Sequence, residues 1–444
     1  MSYEYSRDQA QIARLDKATD DFIGRAGKHK PATRRTMFVF PGGMASRLFR
    51  ATAPYNKAGQ AVQISNFTMA WLDISSLVPP GATNLMMQRH GIDGYRDFEN
   101  HIIVADGGVS FASFFEPWLG PLLDDFLDPY GYFTQWCFDQ GVDCFVFGWD
   151  WRRKTFDTAD FFARQFLPRF RQQVIDAGLP DPLTNYTLLG HSFGSMVVNH
   201  LNRWPPATLP PSPPLAPLPG NMTKAIAVGG LFHGYGGQLH RWFQPDSTFK
   251  ALDQTRMLQT IASLPGPYEL MVLPDPTWQE LMLVQRGPGQ SPPYPLPDYP
   301  SADAIVIPQL DDPYDPPAAH YPTTTGFDAG YLAAARETVR HLARSAGSNA
   351  DKRFVSIQGI KTDLFGEDLN STSSNTGWKP PGATALPNPD LVTDTASVPG
   401  DGTLPAWSTY FQGGEVHTVR DFWLEHMLLL YDPKILAAVY AAIP

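Results

Sequence analysis

Five short apolar runs, each broken off by glycine, constrain this chain more than any other feature. They are "TMFVFPGG" (36–43), "DCFVFGWDW" (143–151), "YTLL" (186–189), "KAIAVGGL" (224–231) and "RFVSIQGI" (353–360). They are short and mostly apolar, so each reads as a buried strand. Helical spacing fills the gaps. Ile12, Leu15, Phe22 and Ile23 share a face within residues 8–23. Phe162, Phe166, Phe170 and Val174 share another, with Gly178 as a stop. Ser195 to Leu201 reads as a helix, and "DPKILAAVY" as a last one with Pro433 at its start. Buried strands alternating with helices imply an α/β fold: a mostly parallel central sheet flanked by helices.

Composition narrows the partners. The 444 residues are 43% hydrophobic, enough for a large core. Acidic residues outnumber basic ones, 44 to 34, for a net charge of -10. With no long basic run, nucleic acid is not an expected partner. The same balance argues against a purely electrostatic anchor on anionic lipid, while apolar contact with a membrane surface stays open. No 18-residue apolar stretch is present, and the start holds no run fit for a signal peptide. The expected location is cytoplasmic, with peripheral membrane contact. Cys137 and Cys144 are too few for a disulfide framework and read as small buried hydrophobes.

Proline, at 43 residues, clusters. "PPATLPPSPPLAPLPG" (205–220) reads as an extended surface crossover. "GPGQSPPYPLPDYP" and "DDPYDPP" fall in an irregular stretch between two strand-like segments, which implies a cap or lid insertion. The expected organisation is an N-terminal helical extension (1–33), a first core part (34–231) with an insertion at about 49–136, a proline-rich cap (232–350), and a second core part (351–444).

Chemistry enters at "GHSFG". A serine hydroxyl is a weak nucleophile that needs a base and N–H groups aimed at the developing oxyanion. A strand, a sharp turn and a helix supply that geometry when glycines stand two residues either side of the serine. Gly190 and Gly194 hold those places around Ser192. The alternative is an ordinary strand-to-helix turn. A second donor loop is expected after an early strand, and "FVFPGGMASRL", with Gly42 and Gly43, fits one. An acid and a base should follow the serine in order. Asp401 in "VPGDGTLPAWS" and Asp363 in "GIKTDLFG" compete as the acid. His417 lies inside a strand-like run; His426 lies after it, where an imidazole could reach back, and is preferred.

Five segments together resemble the lecithin:cholesterol acyltransferase-like group of α/β-hydrolases, with its lysosomal phospholipase and phospholipid:diacylglycerol acyltransferase relatives. They are Pro41-Gly42 with Leu48, "WLDI" (71–74), "WDWR" (149–152), "GHSFG", and "GDGTLPAWS" (400–408) followed by "LEHMLLLYDPKIL". The resemblance runs from about residue 37 to the end, with gaps at both insertions. The cysteine pair of that group has no counterpart here, and "GGLFHGYGG" lacks the proline of its "GAPW".

The resemblance implies an α/β-hydrolase fold with cap insertions. It implies Ser192 as nucleophile, Asp401 as orienting acid and His426 as base, with the Met44 and Phe193 N–H groups as oxyanion donors. Asp150 and Arg152 are expected to be structural, as an ion pair. The activity implied is acyl transfer from an ester, lipid by preference, to water or an alcohol, with no cofactor or metal. Phe111, Phe114, Phe115, Trp118, Leu122 and Leu123 are candidates for lipid contact, with core filling as the plain alternative. An esterase or acyltransferase on a soluble donor competes with this, as does an idle binding protein on the same fold.

Overall fold

The computed structural model describes residues 3–28, 35–51, 67–71, 86–90, 94–97, 101–108, 128–204, 216–232, 234, 260, 263–270, 328–343, 353–369, 372–373, 376–378, 391–393, 397–406, 408–409, 411 and 414–444. Phe111, Phe114, Phe115, Trp118, Leu122 and Leu123 lie outside them. So do most of the 232–350 stretch and "WLDI" beyond Trp71.

Among the described residues, six strands make the central sheet: β1 (Arg35–Phe40), β2 (Val142–Val146), β3 (Tyr186–His191), β4 (Met222–Val228), β5 (Phe354–Lys361) and β6 (Glu415–Asp421). Their order across the sheet is β6-β5-β4-β3-β1-β2. Every neighbouring pair is parallel. Helices flank both faces, and the strand order reverses between β1 and β3. This is the α/β-hydrolase fold. Strand Ser46–Ala51 pairs antiparallel with Phe67–Trp71 and Ile103–Gly108 in a separate small sheet.

The apolar runs are continuous because both faces of the sheet are covered. Phe38 and Phe40 of β1 point to one side; Met37 and Val39 point to the other. On the first side Phe38 meets Phe145, Phe162, Phe170 and Tyr186 with ring centroids 5.1–6.1 Å apart, mostly edge to face. The expected stripe of Phe162, Phe166, Phe170 and Val174 is buried there. Its helix is not regular: Thr155–Phe161 passes through a π turn, Phe162–Phe166, into Leu167–Asp176. Pro168 explains the widening, since it has no N–H to return to the preceding turn. On the second side helices Pro129–Asp139 and Pro433–Ala442 cover Val39, Leu189, Ile226 and Val355. The latter helix starts at Pro433, and Asp432 caps it by accepting from Lys434 and Ile435 N–H. Cys137 and Cys144 are buried free thiols.

Two expected boundaries move. β2 stops at Val146, so "GWDW" is loop, not strand. The first helix runs over Tyr3–Ala26, five residues earlier than the apolar spacing alone indicates. Its start is anchored from outside: the Tyr3 hydroxyl donates to Asp97 Oδ2 at 2.5 Å. Further along, the Gln11 amide clamps the main chain of Ala105, donating to its carbonyl at 2.9 Å and accepting from its N–H at 2.7 Å.

Candidate active site

A parallel sheet collects the loops after its strands at one edge, and ligand sites form there. Here that edge carries the turn after β3, Gly229 after β4, the loop that follows β5, and the turn after β6.

Ser192 ends β3 with φ of 53°, in the left-handed region that a residue with a side chain rarely adopts. The turn holds because its neighbours have no side chains. A Cβ on Gly190 would stand 2.5 Å from Ser195 Cα, and one on Gly194 would run into the carbonyl oxygens of Phe40 and Pro41. Ser192 N–H donates to Val228 O at 3.0 Å, which pins the turn to the next strand. The helix Gly194–Asn202 starts immediately after.

The structure brings Ser192, Asp401 and His426 together. His426 Nε2 is 2.8 Å from Ser192 Oγ, and His426 Nδ1 is 2.7 Å from Asp401 Oδ2. An ionised carboxylate only accepts, so Nδ1 carries the proton and Nε2 is left to accept from the serine hydroxyl. Asp401 is fully buried, and its second oxygen accepts from the N–H groups of Thr403 (3.1 Å) and Leu404 (2.7 Å). The carboxylate is therefore fixed by main chain before the imidazole meets it. The rivals sit elsewhere. Asp363 spends its carboxylate on the N–H groups of Phe365 and Glu367 in a tight turn. His417 faces Glu415 at 2.8 Å on the exposed edge strand.

No family model matches this sequence, and no curated protein matches it at a significant level. Among solved structures, a chain in the crystal structure of the Tle4–Tli4 complex aligns over 93% of this chain and 98% of its own, at 12% identity and a TM-score of 0.44. A carboxylesterase structure from the ammonia-oxidizing thaumarchaeon Nitrososphaera gargenis aligns over 70% of this chain and 83% of its own, at 11% identity and a TM-score of 0.26. Likenesses this remote say nothing of the chemistry, which has to be read from the residues themselves.

The loop after β1 lies against the serine. A Cβ on Gly42 would come within 3.0 Å of Ser192 Cβ and 3.4 Å of its Oγ, so a side chain there would crowd the serine. A Cβ on Gly43 would stand 3.3 Å from the Phe193 ring. Met44 follows with φ of 64° and is 41% exposed. Among the described residues, the Gly43 and Phe193 N–H groups have no hydrogen-bond acceptor. Trp149 locks the loop from behind: its indole N–H donates to Pro41 O at 2.8 Å, and its ring meets Phe193 at 5.3 Å.

Asp150 and Arg152 form a buried ion pair under this loop. The guanidinium donates to both Asp150 oxygens (2.8 and 2.6 Å) and to Asp97 Oδ1 (2.7 Å). Burial alone would push the Asp150 carboxyl up. The Arg152 and Arg153 guanidinia outweigh it and hold the carboxyl below its usual range. Sequence reasoning missed Asp97, which no local pattern distinguishes. It also missed Tyr130 and His191, which lie directly behind the serine; the histidine was in plain view inside "GHSFG".

Among the described residues no group of three or more His, Cys, Asp or Glu side chains is placed to hold a metal. None of their helices is long and apolar enough to cross a membrane.

Proposed function

We propose that this protein is a serine-dependent ester hydrolase or acyltransferase that acts on lipid acyl esters through an acyl-serine. The observation that carries the reading is the Ser192–His426–Asp401 chain, with contacts of 2.8 and 2.7 Å at a strained elbow. His426 Nε2 takes the Ser192 proton as Oγ bonds to the ester carbon and the carbonyl electron pair moves onto oxygen. The oxyanion is held by the N–H groups of Phe193 and Gly43. Gly43 is proposed beside the Met44 that the resemblance implies, because its N–H has no acceptor among the described residues. Collapse expels the alcohol, which leaves with the proton from His426. Water or a second alcohol then gives its proton to His426 and attacks the acyl carbon, and Ser192 recovers its own. Asp401 stays ionised and orients the imidazole.

Two things support a lipid donor over a soluble one. The first is the resemblance to the lecithin:cholesterol acyltransferase-like group. The second is an apolar rim beside the site. Leu364 and Phe365 are 77% and 92% exposed at the tip of a turn that leaves β5. Trp423, 79% exposed, leaves β6 three residues before His426. The turns start side by side, since Thr362 N–H donates to Asp421 O at 3.1 Å. Exposed apolar tips on loops that leave the strands carrying the acid and the base suit a lipid surface.

The test is incubation with liposomes of phospholipid and a lipid alcohol, with Ser192→Ala alongside, and product identification by mass spectrometry. The expected result is free fatty acid or a new acyl ester, absent in the variant. Turnover confined to soluble esters would overturn the lipid reading, and none at all would overturn the enzyme.

A further inference from the structure

Behind Ser192 a chain of buried hydrogen bonds runs from the donor loop to the base without touching the serine. Gly42 N–H donates to the Tyr130 hydroxyl oxygen at 3.0 Å. That hydroxyl lies 2.8 Å from His191 Nδ1. His191 Nε2 lies 2.9 Å from the main-chain oxygen of His426. Tyr130, His191 and His426 are each at most 3% exposed.

With His191 neutral, one arrangement of protons satisfies all three contacts. The His426 carbonyl can only accept, so His191 Nε2 carries a hydrogen. The Gly42 N–H can only donate, so the Tyr130 oxygen accepts, and its single proton has Nδ1 of His191 as its acceptor. Nδ1 is therefore bare and His191 is neutral. A charged His191 would aim its Nδ1–H at the Tyr130 oxygen that already accepts from Gly42 N–H, and leave the phenol proton without this acceptor. Burial, reinforced by the nearby His426, pushes the His191 pKa down to about 3. Burial also pushes the Tyr130 phenol up, so it keeps its proton. No second cation then forms 5.2 Å from the His426 ring.

We infer that Tyr130 and His191 are positioning residues: a hydrogen-bonded strut that sets the gap between the Pro41–Met44 loop and His426. The inference rests on the proposed acyl-serine reaction, in which the loop N–H and the imidazole must address the same reacting carbon. One end of the strut holds Gly42, where an added Cβ would come within 3.0 Å of Ser192 Cβ; the other holds the main chain of the base. A strut of this kind works through geometry, and small misplacements of reacting groups are costly.

Tyr130→Phe is the discriminating variant, because it keeps the ring and removes only the oxygen. It should be assayed on a soluble short-chain p-nitrophenyl ester, with active sites counted by fluorophosphonate titration. We expect kcat per titrated site to fall about 10- to 100-fold with KM within about twofold. The inhibition constant of an alkyl boronate, which forms a tetrahedral adduct on serine, should rise by the same factor. A merely structural role would lower the number of active sites and leave kcat per site and boronate affinity unchanged, and that result overturns the strut. If Tyr130→Phe does not fold, His191→Gln and His191→Leu carry the test. Gln can still donate to the His426 carbonyl and should retain at least about fivefold more kcat per site than Leu; equal losses overturn the inference. Independently of turnover, nitrogen-15 spectra of histidine-labelled Ser192→Ala at pH 6 should show His191 as the neutral Nε2–H form, and a cation or the other tautomer overturns it. A wild-type protein that neither hydrolyses the ester nor takes the fluorophosphonate would remove the proposed reaction itself, a result distinct from an active wild type with a silent Tyr130→Phe.

Discussion

Asp401 and His426 are joined twice. The carboxylate meets the imidazole at 2.7 Å, and the His426 N–H donates to the Asp401 carbonyl at 2.9 Å. Main chain thus sets the spacing that the side chains use. Asp401→Asn should keep that spacing, since its remaining oxygen can still accept from Thr403 and Leu404. It removes the charge and the tautomer control. Ester kcat should fall about 10⁴-fold, on the scale known for such a change in other triads. The unfolding temperature, measured in parallel, should move by only a few degrees.

Gly229 is where the third strand of the site has no room. Its φ is 53°, and a Cβ there would stand 3.2 Å from His426 Cε1, 3.3 Å from Asp401 Oδ2 and 2.6 Å from Leu429 Cδ1. Gly229→Ala should cost about 1–3 kcal/mol of stability from backbone strain. Separately, it should cost about 100-fold in kcat by displacing the imidazole. Denaturant unfolding and steady-state kinetics on one preparation read the two effects.

The strand runs were legible because a sheet covered on both faces leaves few polar positions in its strands, and each of the five runs supplies a strand of the sheet. The β3 turn was legible for a similar reason: Gly190 and Gly194 are forced by atoms that would otherwise overlap. What failed depends on distant partners. "GWDW" reads as strand by its aromatics, yet Trp149 is used to hold Pro41, 108 residues away. Tyr3 looks like a polar residue outside the helix until Asp97 is placed beside it. That the Gly43 N–H has no acceptor among the described residues is likewise visible only once the loop is folded. His191 read as one letter of a motif, because its partners Tyr130 and the His426 carbonyl are 61 and 235 residues away.

Glu269 ties the short helix Pro265–Tyr268 to the core. It accepts from Thr155 N–H at 3.0 Å and Thr155 Oγ1 at 2.6 Å, and is fully buried. Burial pushes its pKa up to about 7, against the Thr155 hydrogen bonds. A raised pKa means the folded state holds the proton more tightly than the unfolded one. Stability from this group is fully present below about pH 4.5, declines as the unfolded carboxyl ionises, and is lost above about pH 7. Glu269→Gln, compared with wild type by denaturant unfolding, should become relatively more stable from pH 4.5 to 7, with a flat difference above about pH 8. A pH-independent difference would contradict this.

The apolar tips give a prediction about surfaces. Leu364 and Phe365 are held out by a turn in which Asp363 Oδ1 accepts from Phe365 and Glu367 N–H at 2.8 and 2.9 Å. Each side chain gains up to about 2 kcal/mol in an apolar phase. Leu364→Ser with Phe365→Ser should therefore lower flotation with phosphatidylcholine vesicles, and turnover of lipid in them, by at least about tenfold. Hydrolysis of a soluble ester should change by less than about twofold. Equal losses on both substrates would make the tips part of the site rather than a contact with lipid.

The most direct test of the central claim is the chemistry of Ser192 itself. Wild-type protein, Ser192→Ala and His426→Ala should be treated with a fluorophosphonate and analysed by peptide mass spectrometry. The account predicts one adduct, on Ser192, formed at least about 1,000-fold faster in wild type than in His426→Ala and absent in Ser192→Ala. A wild-type protein without adduct, or labelling that survives in Ser192→Ala, would contradict it.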